Sequence, residues 1–84
     1  MNFTVDWAAD ARRELHELWV ISPDPAAVWD ADKSAERLLA ADPSGSGRHL
    51  SEGLWQLKVS PLTIYYDIDH ARRHVQVTDV FHTG

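Results

Sequence analysis

The sequence predicts an α+β domain of order β-α-α-β-β-β, a helical hairpin packed on a small, mainly antiparallel sheet. Three observations predict it. Polarity alternates with period two at the start of the chain and gives way to helical spacing afterwards. Asp-Pro pairs at 24–25 and 42–43 punctuate the helical region. From Ser51 to Asp69 the alternation returns on both sides of a Ser60-Pro61 turn, and a further strand follows from His74 to Phe81. The whole chain, 1–84, is read as a single domain.

The first strand runs from Asn2 to Trp7. Phe3, Val5 and Trp7 face one way and Asn2, Thr4 and Asp6 the other, as in a half-buried strand. A helix follows from about Ala8 to Ile21, with Asp6 as its expected N-cap. Ala8, Ala11, Leu15 and Leu18 form its apolar stripe, widened by Trp19. Ser22-Pro23 ends it, because a residue before proline avoids helical geometry. Asp24 then caps the second helix and Pro25 occupies its first position. Val28, Ala31, Ala35, Leu38 and Leu39 are its expected buried face, and Asp42-Pro43 stops it. So short a connection makes the two helices an antiparallel hairpin.

Ser44 to His49 is expected to be a flexible loop. In the middle strand of the meander Leu62, Ile64, Tyr66 and Ile68 share one face; in the last strand Val75, Val77 and Phe81 do. Asp69 to Arg73 makes the hairpin between them.

Bulk properties narrow the function. A chain of 84 residues buries only roughly 60–65% of its unfolded surface, so its core is thin. With no cysteine, disulfides, thiolate metal sites and thiol catalysis are excluded. The net charge of −5 argues against broad nucleic-acid binding, which needs phosphate neutralisation. The N-terminal residues lack the basic and apolar regions of a signal peptide, and no apolar run approaches membrane length, so the expected location is the cytoplasm. His70 and His74 flank a turn and share no helix face, so neither metal nor cofactor is expected.

Several stretches together resemble the RelE/ParE superfamily of small bacterial toxins. They are Phe3-x-Val5-x-Trp7 with Ala9 and Glu14-Leu15, then Ala35-x-x-Leu38-Leu39-x-x-Asp42-Pro43. They continue in Glu52-Gly53-Leu54-x-x-Leu57-x-Val59-x-Pro61-Leu62-x-Ile64-x-Tyr66-x-Ile68-Asp69 and Val75-x-Val77-x-x-Val80. The resemblance covers nearly the whole chain. It implies the toxin component of a type II toxin–antitoxin module, with a cognate antitoxin whose C-terminal segment wraps it. One branch of the superfamily cuts messenger RNA on the ribosome, and another poisons DNA gyrase.

The ribonuclease branch uses basic residues and a Tyr or His near the last strand for general acid–base and electrostatic catalysis. This sequence departs from that set. Thr63 stands where an arginine is usual, Gln56 falls near another basic position, and His82-Thr83 fall near a third. Lys58 and His82 match positions that often carry a basic group, and Arg48 adds charge from the expected loop. If the chain is an enzyme, it is thus a messenger RNA endoribonuclease with a reduced set: His82, Lys58 and Arg48. His82 also reads as a solvated histidine near the end of the chain.

Four tryptophans are many for so small a core. Trp7 and Trp19 are read as core. Trp29 and Trp55 are candidate anchors of a protein interface, where Trp is enriched. Tyr65 points away from Tyr66 and joins them, with Arg12 and Arg13 as candidate basic contacts. Unpaired edge strands and the tryptophans make a homodimer a further expectation.

Overall fold

The computed structural model describes residues 2–83. Strand β1 is Thr4–Trp7, followed by helices α1 (Ala9–Ile21), α2 (Pro25–Ala41) and α3 (Pro43–Ser46). Strands β2 (Arg48–Ser51), β3 (Leu54–Val59), β4 (Leu62–Asp69) and β5 (His74–His82) complete the chain. They form one sheet in the order β1-β5-β4-β3-β2, parallel between β1 and β5 and antiparallel elsewhere. The α1–α2 hairpin carries the chain from one edge of the sheet to the other. Among the described residues no helix is long and apolar enough to cross a membrane.

The expected order is present, with a fourth antiparallel strand and a short helix inserted where a flexible loop was expected. The physical reason repeats an earlier signal. Asp24 accepts from Ala27 N–H (3.2 Å) to open α2 with Pro25 behind it. Asp42 accepts from Gly45 N–H (3.0 Å) and opens α3 with Pro43 in the same way. Gly47 then lets the chain pass Tyr66 at close quarters. A Cβ there would strike the Tyr66 hydroxyl and lie 2.9 Å from the Gln56 carbonyl oxygen. Arg48 to Ser51 consequently pairs with β3 as an edge strand. Gly53 turns that hairpin at φ 76°, a left-handed conformation that side chains strain to adopt.

The core lies between the hairpin and one face of the sheet. Ala11 of α1 and Val28, Ala31, Ala35 and Leu39 of α2 meet Leu57, Leu62, Ile64, Tyr66, Val75, Val77 and Val80. Small residues on both helices let them approach the sheet closely. Tyr66 is fully buried, and its hydroxyl donates to the Pro43 carbonyl at 2.6 Å, tying β4 to α3. Burial, then the nearby Asp42 carboxylate, push its phenol up to about 12.

Four expectations of packing are corrected. Asp6 does not cap α1; it stays in β1, where His74 Nε2 donates to its Oδ2 at 2.7 Å, and Ala8 occupies the cap position without a side-chain bond. Trp19 and Leu38 are exposed, at 44% and 41%. Each lies one residue, about 100° of helix rotation, from a neighbour that packs inward, Leu18 and Leu39. Phe81 is 50% exposed and Val80 takes its place inside. The cause is a bulge: Tyr65 pairs with Asp79 but Tyr66 with Val77, so Thr78 is an extra residue that reverses which side chains face inward.

Candidate functional site

Two surfaces of this fold carry chemistry. The first is a groove of about 450 Å³ along the helical hairpin. Arg12, His16 and Trp19 of α1 form one wall and Trp29, Lys33 and Glu36 of α2 the other, with Trp7 also lining it. Trp29 is 55% exposed, and Lys33 Nζ lies 4.4 Å from its ring centre. The same ammonium is 3.8 Å from Glu36. His16 stacks on Trp19 at 6.3 Å. Val20 and Ile21 are exposed just beyond, so the hairpin ends in uncovered apolar surface.

Asp32 also lines the groove and is 7% exposed. Its carboxyl is raised from the ordinary 3.8 to about 7. Burial is the main cause. A hydrogen bond shared with Glu36 and that residue's negative charge add to it, while Lys33 and Arg12 pull the other way. Among the described residues its Oδ1 has no hydrogen-bond partner. Asp32 was not singled out from the sequence. Its signal was there: it stands four residues after Val28 and three before Ala35, an acid on the stripe that α2 buries.

The second surface is the sheet face opposite the helices. Residues paired across an antiparallel ladder project from the same face. Lys58, Thr63 and Phe81 therefore share this face, as do Arg48, Gln56, Tyr65 and Asp79. Gln56 Nε2 donates to the Tyr65 hydroxyl (2.9 Å), Tyr65 meets Phe81 edge-on (5.7 Å), and Thr63 and Thr83 share a hydroxyl hydrogen bond (2.8 Å). Arg48 and Lys58 border a shallow depression of about 340 Å³ with Gln56 and Gly47.

The candidate residues are thereby sorted. Arg48 and Lys58 come together. His82 does not join them: it pairs with Leu62, which pairs with Val59, and that row projects from the helix side of the sheet. Arg12 and Trp29 meet in the groove, whereas Arg13 is taken up by Asp10 at 2.7 Å. Tyr65 belongs to the open face. Trp55 is half-buried on the helix side, between His49 (4.8 Å) and Tyr66 (6.4 Å). Among the described residues no group of His, Asp or Glu is arranged to hold a metal ion.

No protein-family model matches the sequence, and no curated protein matches it. Solved structures do. A chain of the RelBE2 toxin–antitoxin complex from Mycobacterium tuberculosis is 26% identical and superposes with a TM-score of 0.82, over 98% of this chain and 92% of that one. A chain of the chromosomal ParDE system from P. aeruginosa superposes at 0.74 with 17% identity, over 98% and 97%. The isolated E. coli RelE toxin superposes at 0.69 with 14% identity, over 98% and 85%. The chain has the RelE/ParE toxin fold.

Proposed function

We propose that this chain is the toxin, or a toxin-like member, of a type II toxin–antitoxin module, and that its main chemistry in the cytoplasm is binding a cognate antitoxin. The observation that carries this reading is the match to the RelBE2 complex at a TM-score of 0.82 over nearly all of both chains. The hairpin supports it. A groove flanked by exposed Trp19, Trp29, Val20 and Ile21 is apolar surface of the kind a partner segment covers.

The test is growth of a bacterial host on induction of this chain, with and without the gene beside it. Arrest that the neighbour relieves, with co-purification of its product, is the expected result. Undisturbed growth with soluble chain and no small partner would overturn the reading.

One observation favours a second reading, a ribosome-dependent messenger RNA endonuclease: Arg48 and Lys58 share the depression on the open face beside Gln56. Two cations are few for a phosphorane-like transition state, which is why binding ranks first. On this reading micromolar protein stops cell-free translation and Lys58→Ala restores it. His82→Ala has little effect, since His82 projects from the other side of the sheet. Arrest of growth with translation intact would direct attention to DNA gyrase, which a supercoiling assay reads.

A further inference from the structure

Core packing does not account for Asp32. The stripe around it is built of Val28, Ala31, Ala35 and Leu39, and an apolar residue at position 32 would spare α2 a buried acceptor that lacks a donor. The cations nearby do not supply one. Lys33 is held over Trp29 and beside Glu36, and Arg12 forms no ion pair with Asp32 among the described residues. Trp7, Trp19 and Trp29 line the same groove as Asp32, with Glu36 adding a second acid.

This combination selects its occupant. An anion would meet two carboxyls. An apolar side chain would leave Oδ1 unpaired. A guanidinium is flat, stacks on indole faces, and presents several N–H donors in a fork that matches carboxyl oxygens. The charge of the chain, −5, also complements a basic partner.

We propose that the hairpin groove is the seat of an arginine side chain from the bound antitoxin segment, its guanidinium donating to Asp32 and stacking on the groove tryptophans. The proposal rests on the antitoxin-binding reading and gives the partner's chemistry: a basic segment docked on the hairpin. Near neutral pH the Asp32 carboxyl carries a proton part of the time, with Lys33 and Glu36 on the same helix and Arg12 and His16 facing from α1. The arriving cation takes that proton's place, and the proton leaves to solvent.

The test titrates N-acetyl-arginine amide into the full chain while NMR follows the tryptophan indole N–H signals. Saturable shifts at Trp19 and Trp29, with Trp55 unmoved, are expected. N-acetyl-citrulline amide, neutral and of the same shape, should bind at least about tenfold more weakly, and Asp32→Asn should weaken the arginine probe by a similar factor. Glu36→Gln serves as a second variant if Asp32→Asn loses its folded spectrum. Absence of shifts, equal binding of citrulline, or unchanged binding in the variants would overturn the proposal. The growth assay separates the two readings. Arginine binding without arrest or a partner sinks the toxin reading alone. Relieved arrest without arginine binding leaves the antitoxin and removes the arginine seat.

Discussion

Tyr65 and Tyr66 are neighbours in β4, yet they serve opposite faces of the sheet under different physical rules. Tyr66 is enclosed by the helical hairpin and spends its hydroxyl on the Pro43 carbonyl. Tyr65 lies half-buried on the open face, bonded to Gln56 and edge-on to Phe81. The covered face holds nearly all the fully buried side chains, so its residues are constrained by volume and by hydrogen-bond satisfaction. The open face is held by short polar and aromatic pairs, so charge such as Arg48 and Lys58 stands there without disturbing the core. Separating stability from surface chemistry lets one small sheet carry both. Asp32 breaks the separation, an acid placed on the side that packing should own.

The comparison can be broken most directly at Tyr66. Tyr66→Ala removes a fully buried ring and orphans a carbonyl, and should cost about 3–5 kcal/mol by urea denaturation. Gly47→Ala tests the same enclosure from the other side. Its Cβ meets the Tyr66 hydroxyl and the Gln56 backbone, and a loss of about 1–3 kcal/mol is expected in the same assay.

Asp32 tests the exception. Its folded carboxyl titrates at about 7 against an ordinary 3.8, so between those values the folded chain holds a proton that the unfolded chain has released. Stability from this group is present at low pH and lost as pH rises from about 4 to about 7. Asp32→Asn should therefore stabilise the fold by about 1–2 kcal/mol at pH 8, a figure discounted for water at the groove mouth, and by little at pH 5. Equal effects at both pH values would place the carboxyl outside the buried environment described.

The smallest effects belong to the exposed positions. Tyr65→Ala loses the contact with Phe81, about 0.5–1.5 kcal/mol. A cost equal to that of Tyr66→Ala would abolish the distinction between the faces. Trp29→Ala should cost only about 0.5–1 kcal/mol of stability, chiefly its contact with Lys33, yet weaken partner binding at least about tenfold in a calorimetric titration.

Much of the candidate surface was legible, and the unreadable part has a common cause. Trp29 stood off its helix's apolar stripe and emerges into the groove. Lys58 and Tyr65 alternate with inward residues and emerge on the open face. Phe81 was misjudged, because the bulge at Thr78 shifts the inward set of β5 by one residue and nothing local to Thr78 announces it; the same shift turns His82 away from Lys58. Arg48 was expected in a flexible loop because of the length and composition of the Ser44 to His49 run, and it becomes part of a strand only through pairing with β3.

By itself, the sequence determined the order of the main elements and several of their ends. Asp24-Pro25 places an N-cap beside a proline, Asp42-Pro43 stops the second helix, and alternation across Ser60-Pro61 makes a hairpin. These are choices made within a few residues, by backbone sterics and the nearest hydrogen bonds. Only the tertiary structure decided which side chains share a surface: Arg48 with Lys58, His82 away from both, and Asp32 in the groove that the tryptophans line. Those outcomes depend on register between strands far apart in the chain and on how two helices roll against the sheet, and a one-residue shift reverses a face while leaving every local preference satisfied.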